Sequence, residues 1–225
     1  MTLQTVFGSV RKQGRRGTTG FYVSLERVMT DTSVFLSHLT TQPTYSGQIA
    51  HIERMPPRQA SYAELDEPLE AHLRGCLSRH GLLPLYTHQA QAVNCARQGR
   101  NVMVSTSSAS GKTLCYNIPV LEAILTERAS CALYLFPTKA LAQDQLRTLQ
   151  ELFYPDLLRS GEFATFDGDT PHAERAEIRK QARIVLTNPD MLHVGILPNH
   201  QSWSRLLRQL RYVVIDEAHI LSLIH

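Results

Sequence analysis

Short apolar runs recur through the second half of the chain, each closed by polar residues and followed by a stretch with helical spacing. The runs are Asn101–Ser105, Cys131–Phe136, Phe163–Phe166, Arg183–Thr187 and Arg211–Ile215. Near-continuous apolar strands alternating with helices predict an α/β fold, a parallel sheet joined by right-handed crossovers with helices on both faces. Between two of the runs, Ala142, Leu146, Leu149 and Phe153 form an i, i+4, i+7, i+11 stripe, the mark of a core-facing helix. Upstream, Leu69, Leu73 and Leu77 predict a helix with Pro68 in its first turn and Gly81 at its end. Thr87 is the candidate N-cap of a helix running to Gln98, stopped by Gly99. A further helix starts at Gly111 and is expected to kink at Pro119.

Residues 1 to about 60 carry less pattern. Gly20–Leu25 alternates as a strand would, Met55–Arg58 reads as a stiff extended connector, and the basic run Arg11–Arg16 is either a solvated tail or a phosphate contact. The expected organisation is an N-terminal extension, residues 1–60, partly irregular, ahead of one α/β lobe over residues 61–225.

Composition narrows the class without naming a function. Of 225 residues, 43% are hydrophobic and 19% charged, the balance of a globular protein with a sizeable core. A net charge of +3 permits contact with nucleic acid without requiring it. No apolar run reaches membrane-spanning length and the N-terminus lacks a signal-peptide core, so a cytoplasmic chain with no membrane partner is expected. Cys76, Cys95, Cys115 and Cys131 stand singly with no C-x-x-C pair, which favours buried thiols over a zinc site.

The candidate chemistry centres on Asn101–Tyr116. An apolar run that breaks into a small-residue loop and then a helix directs backbone N–H groups and a helix N-terminus at one point, and such a point attracts phosphate. Ser108, Ala109, Ser110, Gly111, Lys112 and Thr113 would form this cradle. Lys112 would reach the outer phosphates and the Thr113 hydroxyl would ligate magnesium. Thr106 stands where a full phosphate loop has its first glycine, so an ordinary polar turn is the competing reading. The strand ends bear polar residues along the shared edge where parallel sheets bind ligands. At the last of them, Asp216 could hold the magnesium, and Glu217 could activate water for attack on a terminal phosphate. Gln89, upstream of the loop, could pair with the exocyclic edge of adenine or could simply face solvent.

Together these segments carry a resemblance. Asp216-Glu217-Ala218-His219 resembles the DEAH box of superfamily 2 helicases, with Ser110-Gly111-Lys112-Thr113 as motif I. Leu85-Tyr86-Thr87-His88-Gln89 resembles the adenine-recognising glutamine motif, and Pro137–Gln145 resembles motif Ia. Asp167–Pro171 and Thr187–Asp190 resemble the two nucleic-acid motifs that follow. The set looks most like the mitomycin repair factor A branch of RecQ-like DNA helicases. The resemblance implies a RecA-like P-loop lobe using ATP and Mg2+ on single-stranded or partly duplex DNA, RNA not being excluded, in DNA repair. It further implies that Pro137, Thr138, Lys139, Asp169, Thr170, Thr187, Asn188 and Pro189 hold one strand by its phosphates. Thr138, Thr170 and Thr187 would donate hydroxyls to it.

Such helicases have a second lobe, which supplies an arginine finger worth about 10³ or more in rate. They also have a further strand between the motif I and DEAH strands. Neither is recognisable before His225, so an incomplete first lobe is expected. Two other readings stand beside the helicase: an inactive module that only binds ATP or nucleic acid, and an unrelated P-loop phosphotransferase. The nucleic-acid motifs speak against the latter.

Overall fold

The structure, a computed structural model, describes residues 32–53, 59–106 and 110–218. The expected strand at Gly20–Leu25, the basic run Arg11–Arg16, the Met55–Arg58 connector, and Ser108, Ala109 and His219 of the motifs lie outside the described residues. The chain divides into two compact units, Met1–Pro57 and Arg58–His225. Within the first, helix α1 (Thr32–Thr40) buries no residue. The Thr40 and Thr41 hydroxyls close its end by donating to Leu36 and Ser37 carbonyls at 3.0 Å.

The second unit is built on a four-stranded parallel sheet in the order β2-β3-β1-β4, with β1 Cys131–Leu135, β2 Phe163–Thr165, β3 Ile184–Thr187 and β4 Leu210–Ile215. Every residue of β1 and β3 is buried, as their unbroken apolar runs require. Alternate side chains serve two cores. Ala132, Tyr134, Ile184 and Leu186 pack under α2 (Ala71–Arg79), α3 (Thr87–Arg97), α4 (Lys112–Thr126) and α5 (Lys139–Phe153). Cys131, Leu133, Leu135 and Val185 pack on the other face against α6 (His172–Gln181) and α8 (Ser204–Arg208). Between β3 and α8, α7 (Pro189–Met191) runs directly into a π turn, Leu192–Ile196.

The predicted stripe on α5 faces the core, with Ala142, Leu149 and Phe153 buried and Leu146 packed against them. Pro68 stands before α2 rather than in its first turn. The helix opens at Ala71 because the Glu70 carboxylate caps it, accepting from Leu73 N at 3.0 Å. Likewise Tyr86, not Thr87, is the N-cap residue of α3.

Among the described residues, the expected strand that does not form is Asn101–Ser105. It has no strand pairing, and Val102 and Met103 are 43% and 93% exposed. A strand needs a neighbour's backbone, and here the nearest edge stands across a groove of about 700 Å³ lined by Val102, Val104 and the whole of Arg211–Asp216. No described strand pairs with the outer edge of β4. Val213 and Ile215 share a face with Leu133 and Leu135 through the parallel register, yet they are 52% and 53% exposed.

One ion pair fixes the helices that frame the loop. Arg97 on α3 grips Glu122 on α4 through Nε at 2.9 Å and Nη2 at 2.5 Å, and its other N–H groups reach the carbonyls of Glu67 and Pro68. Both side chains are largely buried, so removing one partner leaves the other charge desolvated. Arg97→Ala is expected to cost about 2–3 kcal/mol, seen as a fall of roughly 4–12 °C in Tm. An unchanged melting curve would show that solvent replaces the pair without loss.

Candidate functional site

The site begins at the N-terminus of α3. Gln89 is only 2% exposed; its Oε1 accepts from Tyr86 N and its Nε2 donates to Gly111 O, both at 2.9 Å. Beside it, His88 Nε2 donates to Ser110 O at 3.0 Å, which requires the proton on that nitrogen because a carbonyl only accepts. Two side chains of α3 therefore hold the last two carbonyls before α4. Gly111, the N-cap residue, sits at φ 76°, a left-handed conformation suited to glycine, and a Cβ there would lie 2.6 Å from Gln89 Nε2. The Thr106 hydroxyl closes on Ser110 Oγ at 2.5 Å, so the residue in the place of the usual first glycine helps hold the loop shut. Both ends of the Gln89 amide are engaged by the protein, so it tethers the loop.

α4 opens with Lys112, whose backbone N–H, like that of Thr113, has no intrahelical acceptor and carries the positive end of the helix dipole. Lys112 lines the same groove as Tyr116 and Asp216. Across the groove, β4 continues its ladder with Asp216 N donating to Leu135 O at 3.0 Å. The carboxylate accepts from Glu217 N at 2.9 Å through Oδ1 and from the Tyr116 hydroxyl at 3.2 Å through Oδ2. Glu217 has φ 50°, a left-handed value uncommon for a residue with a side chain.

Tyr116, one turn after Lys112, is the part of the site that the motifs do not reveal. Its ring packs edge-on against Tyr134 at 5.5 Å, and its hydroxyl reaches Asp216 and, at 3.4 Å, Gln145 Oε1 on α5. Burial, and then the Asp216 charge, push its pKa far above the usual phenol range, so it stays a protonated donor. The signal available in the sequence is a tyrosine four residues after the lysine, on the same helix face. Next to it, burial pushes the Cys115 thiol up to about 11, which leaves it unreactive at neutral pH.

The oxygen donors fit a magnesium ion. Thr113 follows Lys112 in the first turn of α4, and Asp216 follows β4 on the wall of the groove that Lys112 lines. A single carboxylate and a hydroxyl leave most of an octahedral shell to phosphate and water, as magnesium prefers.

A second groove, about 420 Å³, runs along the C-terminal ends of β1 and β2, between Lys139 and Gln143 on one side and Asp167, Asp169 and Thr170 on the other. Lys139 pairs with Asp169 at 2.7 Å, which raises the lysine pKa. Thr138 is exposed and caps α5 by accepting from Leu141 N at 3.3 Å, and Asn188 caps α7 through Met191 N at 2.7 Å, with Pro189 at its first position. Pro137 is half-buried at the end of β1. Two expected hydroxyl donors face inward. Thr187 is 1% exposed and donates to Phe166 O at 2.6 Å, while Thr170, at 9%, is engaged with Asp167 N at 2.9 Å and with the Asp167 carboxylate. Buried hydroxyls satisfied in this way shape the strand ends and are not available to a ligand.

A loop that leads into a helix beside an acid-ended strand, in a parallel sheet covered on both faces, defines a RecA-like nucleotide-binding lobe. Residues 86–223 match the family described as DEAD/DEAH box helicase, and the chain belongs to that family. It is 42% identical over 184 residues to the uncharacterized ATP-dependent helicase YprA of Bacillus subtilis, covering 82% of this chain and 24% of that protein. It is 40% identical over 195 residues to the ATP-dependent helicase HRQ1 of Saccharomyces cerevisiae, covering 86% and 18%. Among solved structures, the DUF1998 helicase MrfA bound to DNA and AMPPNP shares 45% identity with a TM-score of 0.70, over 74% of this chain and 23% of that one. The chain thus spans a quarter or less of these relatives. No helix among the described residues is long and apolar enough to cross a membrane.

Proposed function

We propose that this chain is the ATP-binding lobe of an ATP-dependent DNA helicase that acts in DNA repair in the cytoplasm. The observation that carries the reading is the meeting of Lys112, at the N-terminus of α4, with Asp216, at the end of β4, on the wall of one groove. Lys112 and the N–H groups from Ser108 to Thr113 take the phosphates, and Thr113 with Asp216 takes the magnesium ion, which supplies charge neutralisation at the phosphates when bound. Glu217 orients and deprotonates water. DNA, single-stranded or partly duplex, lies along the C-terminal strand ends. Thr138, Lys139 and the N-terminus of α5 contact its phosphates, with Asp169 setting Lys139 and the turn at Asn188-Pro189 flanking the track. Thr170 and Thr187 hold that edge from within. That the similar helicase MrfA has been solved bound to DNA supports DNA as the nucleic-acid ligand.

The test is ATP hydrolysis by the purified chain with and without single-stranded DNA, and by a polypeptide that joins this lobe to a second one. In the joined form, DNA-stimulated turnover is expected. Glu217→Gln there should keep ATP affinity and lower turnover by at least about 100-fold. Wild-type turnover in that variant would remove Glu217 from the mechanism. Absence of turnover from the joined form would leave a module that only binds.

A further inference from the structure

The Tyr116 hydroxyl has one proton and two acceptors. Asp216 Oδ2 lies at 3.2 Å and Gln145 Oε1 at 3.4 Å, so the phenol bridges the end of β4 and the middle of α5. Asp216 lines the first groove, whereas Gln145 stands on a different element, α5. α5 begins at Lys139, six residues or about 9 Å along the helix from Gln145, and its N-terminal residues line the second groove. Tyr116 itself lines the first groove, on the helix that starts with Lys112.

We infer that Tyr116 is a positioning residue that couples the nucleotide groove to the nucleic-acid edge, by passing its single hydrogen bond between Asp216 and Gln145. This rests on the ATP-lobe reading. With no nucleotide bound, the carboxylate is the stronger acceptor, because a charged partner roughly doubles the strength of a hydrogen bond. When a ligand in the first groove takes over the Asp216 oxygens, the phenol's proton turns to Gln145. That contact holds α5, and with it Lys139 and the Thr138 cap, in one arrangement. By linkage, whatever fixes α5 from the DNA side returns the same free energy to the nucleotide side. The ring is held by Tyr134 edge-on at 86°, so the hydroxyl can reorient while the ring stays in place.

The test measures binding, with the purified chain. Affinity for a fluorescent ATP analogue with Mg2+ is titrated with and without saturating single-stranded oligonucleotide, and oligonucleotide affinity with and without nucleotide. The wild type is expected to show reciprocal enhancement of about 5-fold or more. Tyr116→Phe keeps the ring and removes the proton. The enhancement should fall to near 1, and Gln145→Leu, which lies outside the nucleotide groove, should lower it likewise while holding each ligand alone within about 3-fold of wild type. The double variant should lose nothing more, as expected for two residues acting through one contact. Full enhancement in Tyr116→Phe, or no enhancement in a wild type that binds both ligands, would overturn the coupling role. A wild type that binds neither ligand would instead overturn the ATP-lobe reading and the coupling with it.

Discussion

Lys112→Ala is expected to weaken ATP binding by at least about 100-fold while leaving Tm within roughly 2 °C of wild type. Both halves follow from where the side chain sits. Lys112 is the first residue of α4 and lines the groove, and among the described residues it makes no ion pair, so its removal strands no buried partner. Its charge is held at the mouth of a helix whose dipole already favours an anion, and losing a charge-assisted contact of this kind costs about 2–5 kcal/mol of binding. Titration of a fluorescent ATP analogue, beside a thermal melt of the same preparation, separates the two effects. Unchanged affinity would move the nucleotide site elsewhere. A large fall in Tm with the affinity loss would make Lys112 a structural residue.

Gly111→Ala is expected to damage both binding and stability. An alanine at φ 76° costs about 1–2 kcal/mol in the backbone alone. Its Cβ would also lie 2.6 Å from Gln89 Nε2. That amide is buried and bonded at both ends, so moving it aside breaks its bond to Gly111 O and leaves a buried donor unsatisfied, another 1–3 kcal/mol or so. A total near 3 kcal/mol corresponds to a fall of about 6–12 °C in Tm, with nucleotide affinity falling because the loop carbonyls turn out of place. In a Gln89→Ala background the steric part disappears, so the second substitution should cost less than it does alone. Additive losses in the pair would show that Gln89 does not brace Gly111. Circular dichroism melts of the four proteins settle this.

The two central strands are legible in the sequence because they are fully buried and need no partner-specific signal. Cys131–Leu135 and Ile184–Thr187 are unbroken apolar runs, and both form as read. The α5 stripe is legible for the same reason, since burial of one helix face imposes its own period. Asn101–Ser105 has the same composition as those strands and fails to become one, because a strand is completed by the backbone beside it and composition carries no information about that neighbour. Lys112, Asp216 and Glu217 were readable from their places at element ends. What each neighbouring side chain bonds to was not. Thr187 and Gln89 sit at the expected positions but turn inward to Phe166 and Gly111, a choice decided by residues 21 and 22 positions away. The role of Tyr116 is not legible in the sequence, because its partners, Asp216 and Gln145, are 100 and 29 positions away and meet only once the sheet is folded.

The central claim is that nucleotide sits between the start of α4 and the end of β4. Hydrogen–deuterium exchange of the purified chain, with and without Mg2+ and ATP, tests it most directly. The expected result is slowed exchange in peptides covering residues 110–116 and 214–218, with no change across α6. Protection confined to other segments, or none at saturating ATP, would contradict it.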